Sequence, residues 1–202
     1  IEAGRLHPTD ATLAAEAEVA LAGSGVRFAD HAGILPLARS LQALRETTEI
    51  LPPQGLHANL RSYQSFGAAW MGSLITAGFG GVLADDMGLG KTLQVLTLLQ
   101  ARREQDPKAS SSLLIVPTSL LHVWQTQAAQ FTPQLRVLIL HGTGRKALLD
   151  QIAAADLVVT TYPLLARDRE ILKETSWDLV IVDEAQTLKN PAAQMAKALR
   201  DI

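Results

Sequence analysis

The sequence predicts an α/β fold, a parallel sheet covered by helices on both faces, and three observations carry that expectation. Short apolar runs alternate with longer stretches of helical spacing from residue 56 onward. The runs are continuously apolar, as strands buried on both faces require, with Leu113–Val116 and Leu179–Val182 the clearest. Gly88-Leu89-Gly90-Lys91-Thr92 and Asp183-Glu184 each follow such a run directly, at the carboxyl end of a strand, where open α/β sheets bind ligands.

Taken in order, residues 1 to about 55 hold an alanine-rich helix (Ala11–Ala22), a Gly23-Ser24-Gly25 break and a second helical run, Leu37–Arg45. Leu51-Pro52-Pro53-Gln54-Gly55 then reads as an extended linker. This first region, 1–55, carries no visible chemistry and is expected to be the end of an upstream helical accessory segment. Residues 56–202 are expected to form the α/β domain. A leading helix spans about His57–Ile75, strands are predicted at 81–85, 113–116, 136–140, 157–160 and 179–183, and helices near 91–104, 119–130, 144–154, 163–173 and 191–200. Asp106-Pro107 and Ser110-Ser111-Ser112 are surface turns.

The 202 residues suffice for one substantial core, and a net charge of −2 with 48% apolar residues describes a globular chain. No apolar run approaches the roughly 20 residues that cross a bilayer, and no membrane partner is expected. The first residues lack the pattern of a secretory leader, so a cytoplasmic location is expected. Opening on Ile1 rather than methionine is what a fragment would do. The absence of cysteine excludes disulfides, thiolate metal sites and cysteine nucleophiles. His122 and His141 lack metal-ligand spacing and are read as structural; Trp124 and Trp177 are read as core.

Asp85-Asp86-Met87-Gly88-Leu89-Gly90-Lys91-Thr92 lies between the apolar run Gly81–Ala84 and the helical run Leu93–Arg103, the layout of a phosphate-binding loop. Main-chain N–H groups at a helix start point at an anion, and glycines let the chain approach it. Asp86 to Thr92 would wrap the phosphates, with the Lys91 charge on the β/γ-phosphates and the Thr92 hydroxyl on Mg²⁺. Asp85 stands where the strict pattern has glycine, so the loop alone is also compatible with a simple turn and a surface lysine. In Leu179-Val180-Ile181-Val182-Asp183-Glu184, Asp183 would join the Mg²⁺ shell and Glu184 would orient or deprotonate an attacking water. Alone, the two carboxylates equally suit an acidic first helical turn. Together the motifs point to an NTPase.

Ala84 to Gln94 resembles motif I of the SWI/SNF family of DNA-translocating ATPases, in helicase superfamily two, where an aspartate routinely replaces the first glycine. Leu60-Arg61-Ser62-Tyr63-Gln64 resembles the segment that opens the motor, with Ser62 in place of the usual proline. Leu114-Ile115-Val116-Pro117-Thr118-Ser119-Leu120-Leu121, with Trp124 and Phe131, is similar to motif Ia, and Val159-Thr160-Thr161-Tyr162 to motif Ib. Asp183-Glu184-Ala185-Gln186 with Leu188-Lys189-Asn190-Pro191 is similar to motif II and its trailing segment, with glutamine where many members have histidine. The upstream helices resemble the accessory region of bacterial members.

The resemblance implies a RecA-like P-loop domain, the first of two lobes, with ATP and Mg²⁺ as its nucleotide and metal. It implies that Gln64 reads the adenine edge through its amide and that Gln186 couples the nucleotide to the facing lobe. Without the family, both are equally explained as helix-surface or capping amides. It further implies that Pro117, Thr118, Ser119, Thr160 and Thr161 hold a DNA strand by its phosphates, although turn formation and capping would use the same residues. Residues 113–133 hold no lysine or arginine, so electrostatic attraction there is weak. The expected function is a double-stranded-DNA-stimulated ATPase, monomeric, that translocates and displaces or remodels DNA-bound proteins. A strand-separating helicase of the same superfamily, a P-loop kinase and a catalytically silent module are the alternatives. The second lobe is expected in the intact protein, and without its arginine fingers, worth roughly 10³–10⁵ in rate, the isolated lobe would turn over slowly.

Overall fold

Four of the five predicted apolar runs become parallel strands in the computed structural model, which describes residues 50–188 and 194–202. The expected helices Ala11–Ala22 and Leu37–Arg45 and the segment Lys189–Ala193 lie outside the described residues. The described residues divide into two compact units, one holding Ile50, Leu51 and Leu60–Leu89, the other holding Pro52–Asn59 and the described residues from Gly90 onward.

The first unit contains helix α1 (Ser62–Thr76). It starts later than the sequence suggested, because the Gln64 side chain accepts the Arg61 N–H at 3.0 Å and caps the first turn. Residues 81–85, predicted as a strand, form none. A strand exists by the ladder it joins, and this unit holds no other strand among the described residues. Val82 is accordingly 79% exposed.

In the second unit, helix α2 (Lys91–Gln105) precedes strand β1 (Ser112–Val116), followed by a 3-10 turn (Thr118–Leu120), α3 (Leu121–Phe131) and β2 (Val137–Ile139). A 3-10 stretch (Thr143–Ala154) leads to β3 (Leu157–Thr161), α4 (Tyr162–Arg167), α5 (Arg169–Glu174), β4 (Val180–Val182), a 3-10 turn (Ala185–Leu188) and α6 (Gln194–Arg200). The expected helix at 163–173 is two helices that meet at Asp168, whose carboxylate takes both donors of the Arg145 fork, at 2.7 and 2.9 Å. The residues near 144–154 wind in the tighter 3-10 form rather than as an α-helix.

The sheet order is β2-β3-β1-β4, all parallel, with Leu113 opposite Val158 and Val180. Strands β1 and β3 are buried on both faces, as the alternation of side chains allows. Strand β4, expected to be equally buried, lies at the sheet edge with Val180 40% exposed. Leu114, Val116, Leu157 and Val159 pack on one side against Leu96 and Leu99 of α2 and Trp124 and Ala128 of α3. Leu113, Ile115 and Val158 pack on the other against Ile152, Tyr162, Leu165, Leu172 and Ala198. Among the described residues no helix is long and apolar enough to cross a membrane.

Polar residues organise the amino-terminal ends of the strands. Asp178, just before β4, pairs with Arg102 of α2, and Asp156, just before β3, takes Arg103 at 2.9 Å and Arg136 at 2.7 Å. On the same unit, the Glu104 carboxylate accepts the N–H groups of Gln54 and Gly55, at 3.0 and 2.7 Å. Gly55 has no room for a side chain: a Cβ there would lie 2.3 Å from the Gln100 amide nitrogen. The 52–55 stretch is thus docked, and the linker expected there is part of this unit.

Burial opposes ionisation of Asp156, but hydrogen bonds from the Arg136 side chain and main chain, with the charges of Arg103 and Arg136, hold its carboxyl below the ordinary 3.8. A depressed folded-state value stabilises the fold above pH 4 and loses that contribution as pH falls through it. Asp156→Asn is therefore expected to lower stability by about 2 kcal/mol at pH 7, with the deficit shrinking in acid below pH 3.8. Urea unfolding of both proteins at several pH values measures it; a deficit constant with pH would contradict the assignment.

Candidate nucleotide-binding site

The loop that begins at Asp85 uses its glycines for their backbone. Gly88 and Gly90 have φ of 84° and 78°, in the left-handed region that costs other residues about 1 kcal/mol. Asp86, Met87 and Gly88 are exposed, Met87 at 92%. In the first unit, the Leu89 carbonyl accepts both the Tyr63 hydroxyl and the Gln64 amide nitrogen, each at 3.1 Å. Gln64 is buried, and its oxygen is the α1 cap, so the amide expected to read adenine is joined here to the loop and to its own helix.

In the second unit, Gly90 is the residue before α2, and Lys91 and Thr92 form its first turn, both partly exposed. Asp183 and Glu184 leave the carboxyl end of β4. The Asp183 N–H donates to the Ile115 carbonyl at 2.9 Å, one residue beyond the last β1–β4 pair. Its carboxylate is held at both oxygens: Oδ2 accepts the Trp124 indole N–H at 2.8 Å, and Oδ1 accepts the Glu184 N–H at 2.9 Å.

Glu184 is the one non-glycine residue with positive φ, 54°, among the described residues. Such a backbone costs roughly 1–3 kcal/mol and persists where its surroundings enforce it. Tyr162, at the start of α4, supplies the restraint. Its hydroxyl donates to the Asp183 carbonyl at 2.5 Å, with the Glu184 carbonyl at 3.3 Å as a longer arm. The Thr187 N–H donates to the Glu184 carbonyl at 2.9 Å. The Gln186 amide donates to the Glu184 carboxylate, so in this structure Gln186 serves motif II itself.

The residues expected on DNA divide. Thr118 and Ser119 are exposed and Pro117 is half-buried, on the turn after β1. Thr160 and Thr161 are each 1% exposed, inside β3, and the Thr160 hydroxyl donates to the Leu140 carbonyl at 3.3 Å. Their positions in the ladder leave neither hydroxyl at the surface. Trp124 is buried as expected, and Trp177 packs against the core with its N–H on the Leu172 carbonyl. The direct partners of Asp183, Trp124 and Tyr162, escaped sequence reasoning as site residues. A buried indole or phenol needs an acceptor, but nothing in the sequence says which.

Oxygen donors are the kind that Mg²⁺ takes. Thr92 and Asp183 offer hard oxygens, and no group of three or more metal-ligating side chains exists among the described residues. Magnesium beside phosphates needs only one or two protein oxygens.

A family model described as SNF2-related domain matches residues 63–202. The chain is 35% identical over 183 residues to YwqA of Bacillus subtilis (strain 168), a protein named for ATP-dependent helicase/translocase activity, covering 89% of this chain and 20% of that one. It is 34% identical over 163 residues to the TATA-binding protein-associated factor MOT1 of Saccharomyces cerevisiae, covering 74% and 9%. The solved Sulfolobus solfataricus SWI2/SNF2 ATPase core in complex with dsDNA superimposes with a TM-score of 0.70 at 38% identity, over 76% of this chain and 32% of that chain. The chain thus spans a fifth or less of the length of these two curated relatives.

Burial, then the charges of Asp183 and Glu184, push the Tyr162 hydroxyl up to about 12. A raised folded-state value contributes stability below the unfolded value near 10 and loses it as pH climbs through 12. Tyr162→Phe is expected to cost about 1–2 kcal/mol at pH 8, and the gap to wild type should narrow between pH 10 and pH 12. Denaturant midpoints across that range decide it; a gap that does not move would mean that the hydroxyl is not shielded by motif II.

Proposed function

The chain belongs to the SNF2-related family of ATPases, and from that premise we propose that it is the first, ATP-binding RecA-like lobe of a double-stranded-DNA-stimulated translocase. In this reading the intact protein hydrolyses ATP to move along duplex DNA and to displace or remodel proteins bound there. The observation that carries the reading is motif II at the carboxyl end of β4, with the Asp183 carboxylate held at both oxygens, in the unit that also bears Lys91 and Thr92 on the first turn of α2.

Each residue has a separable task. The N–H groups from Gly88 to Thr92 and the Lys91 ammonium bind the β- and γ-phosphates, where a helix start favours negative charge. The Thr92 hydroxyl and the Asp183 carboxylate would hold Mg²⁺, which would neutralise charge on those phosphates. Glu184, fixed by its left-handed backbone, orients the attacking water and accepts its proton. Gln64 reads the adenine edge, exchanging hydrogen bonds that it now makes to the loop. Gln186, bonded to Glu184, couples motif II to the second lobe expected in the intact protein. Pro117, Thr118 and Ser119 present hydroxyls and main-chain groups to a DNA phosphate, a contact indifferent to sequence. The buried Thr160 and Thr161 shape the neighbouring strand end.

In the full-length protein, Glu184→Gln is expected to lower duplex-stimulated hydrolysis by about 10²–10⁴-fold while ATP binding stays near wild type. Lys91→Ala is expected to weaken ATP binding itself. Steady-state hydrolysis and binding of a fluorescent ATP analogue measure the two effects. Undiminished hydrolysis by the Glu184→Gln protein would overturn the role of Glu184, and unchanged ATP binding by the Lys91→Ala protein would overturn the phosphate-binding role of Lys91.

A further inference from the structure

The indole of Trp124 performs a task that packing alone does not require. Trp124 is 4% exposed and wedged between β1 and α3 neighbours in the core cluster of Leu114, Val116 and Ala128. From there its N–H reaches out of the apolar cluster to a carboxylate on a different element, Asp183 Oδ2, at 2.8 Å. The other oxygen, Oδ1, is taken by the Glu184 N–H at 2.9 Å. Two donors on two oxygens fix the plane of a carboxylate, and each oxygen keeps a lone pair for a further partner. A carboxylate that must present an oxygen to a metal gains affinity from being held in this manner.

The position of Trp124 along the chain adds a second consequence. Helix α3 starts at Leu121, immediately after the exposed turn Thr118–Leu120, and Trp124 lies one helical turn inside it. The turn runs straight into the helix: the Leu120 N–H donates to the Pro117 carbonyl at 2.9 Å within the turn, and the N–H of Leu121, the first helical residue, donates to the Thr118 carbonyl. The distance along the helix axis from Leu121 to Trp124 is about 4.5 Å. The donor to Asp183 thus lies one helical turn from the segment Thr118–Leu120, on the helix that this segment opens.

We propose that Trp124 is a positioning residue for Asp183, and that through it helix α3 conveys the state of the exposed turn Thr118–Leu120 to the metal-holding carboxylate. The proposal rests on the ATPase reading. The N–H of one buried indole thereby serves metal affinity, and the helix that carries it serves the link with DNA.

The test is Mg²⁺ titration of the binding of a fluorescent, non-hydrolysable ATP analogue to the full-length protein, without turnover. Trp124→Phe keeps an aromatic ring in the core and removes the donor. The Mg²⁺ concentration for half-maximal binding is expected to rise about tenfold, while binding measured in chelator is unchanged. Leu135→Ala opens a cavity in the same core cluster without touching Asp183, and should lower the melting temperature with the Mg²⁺ midpoint in place. Saturating duplex DNA is expected to lower the midpoint in wild type and to do so much less in Trp124→Phe. An unmoved midpoint in Trp124→Phe, or an equal shift in Leu135→Ala, overturns the positioning role. A wild-type midpoint indifferent to duplex overturns the link to the turn. Should Trp124→Phe fail to fold, β-(3-benzothienyl)alanine at position 124, isosteric with tryptophan but without the N–H, is read against the same outcomes. Absence of Mg²⁺-dependent analogue binding in wild type itself would overturn the ATPase reading and this inference with it.

Discussion

The hydrogen bond from the Asp183 N–H to the Ile115 carbonyl, 2.9 Å long, sets where the acidic pair Asp183-Glu184 stands. It extends the β1–β4 register by one residue past Val182, so that the polypeptide leaves the sheet with its acidic pair beside the end of β1. A slip of one residue would turn Asp183 over and aim it into one of the two apolar layers. Strand β1 can impose that register because it is central, fully buried and paired on both sides, with β3 as well as β4. The segment after β1 depends on it too, since the exposed turn Thr118–Leu120 and helix α3 start where the strand ends.

The two ends of the sheet are built to opposite purposes. At the amino-terminal ends, charges are paired and satisfied: Arg102 with Asp178, Arg103 and Arg136 with Asp156. At the carboxyl ends the chain accepts a left-handed glutamate and groups carboxylates near a tyrosine hydroxyl whose ionisation is suppressed by burial first and by their charges second. Strain of that kind survives only where a folded scaffold enforces it. The apolar layers supply that scaffold, and two aromatic side chains, Trp124 and Tyr162, extend from it to fix the carboxylate and the main chain of motif II respectively.

Much of this was legible in the sequence, for identifiable reasons. Continuously apolar runs such as Leu113–Val116 and Leu157–Val159 announced strands covered on both faces, and both are buried throughout. Asp183 and Glu184 stand at the end of such a run, whereas Lys91 and Thr92 open α2 after a glycine loop whose preceding residues form no strand. Residues 81–85 looked like another strand because apolarity reports burial, whereas a strand also needs a neighbour for its backbone, which composition does not encode. The turn at Asp168 was hidden because its cause is a buried ion pair with Arg145, 23 residues away. Thr160 and Thr161 looked available for a ligand, yet their place in β3 buries them; the end of a strand cannot be fixed to one residue from its sequence. Trp124 and Tyr162 were visible as aromatics, and their polar ends acquired meaning only once α3, α4 and β4 were brought together.

The measurement that reaches the central claim most directly is ATP hydrolysis by the full-length protein, alone and with duplex DNA, single-stranded DNA or RNA. A duplex-stimulated motor is accelerated severalfold by double-stranded DNA, equally by duplexes of scrambled sequence, and little by single strands or RNA. Acceleration by single strands as great as by duplex would make it a strand-separating enzyme of the same superfamily. No acceleration by any nucleic acid would contradict the DNA-tracking function outright.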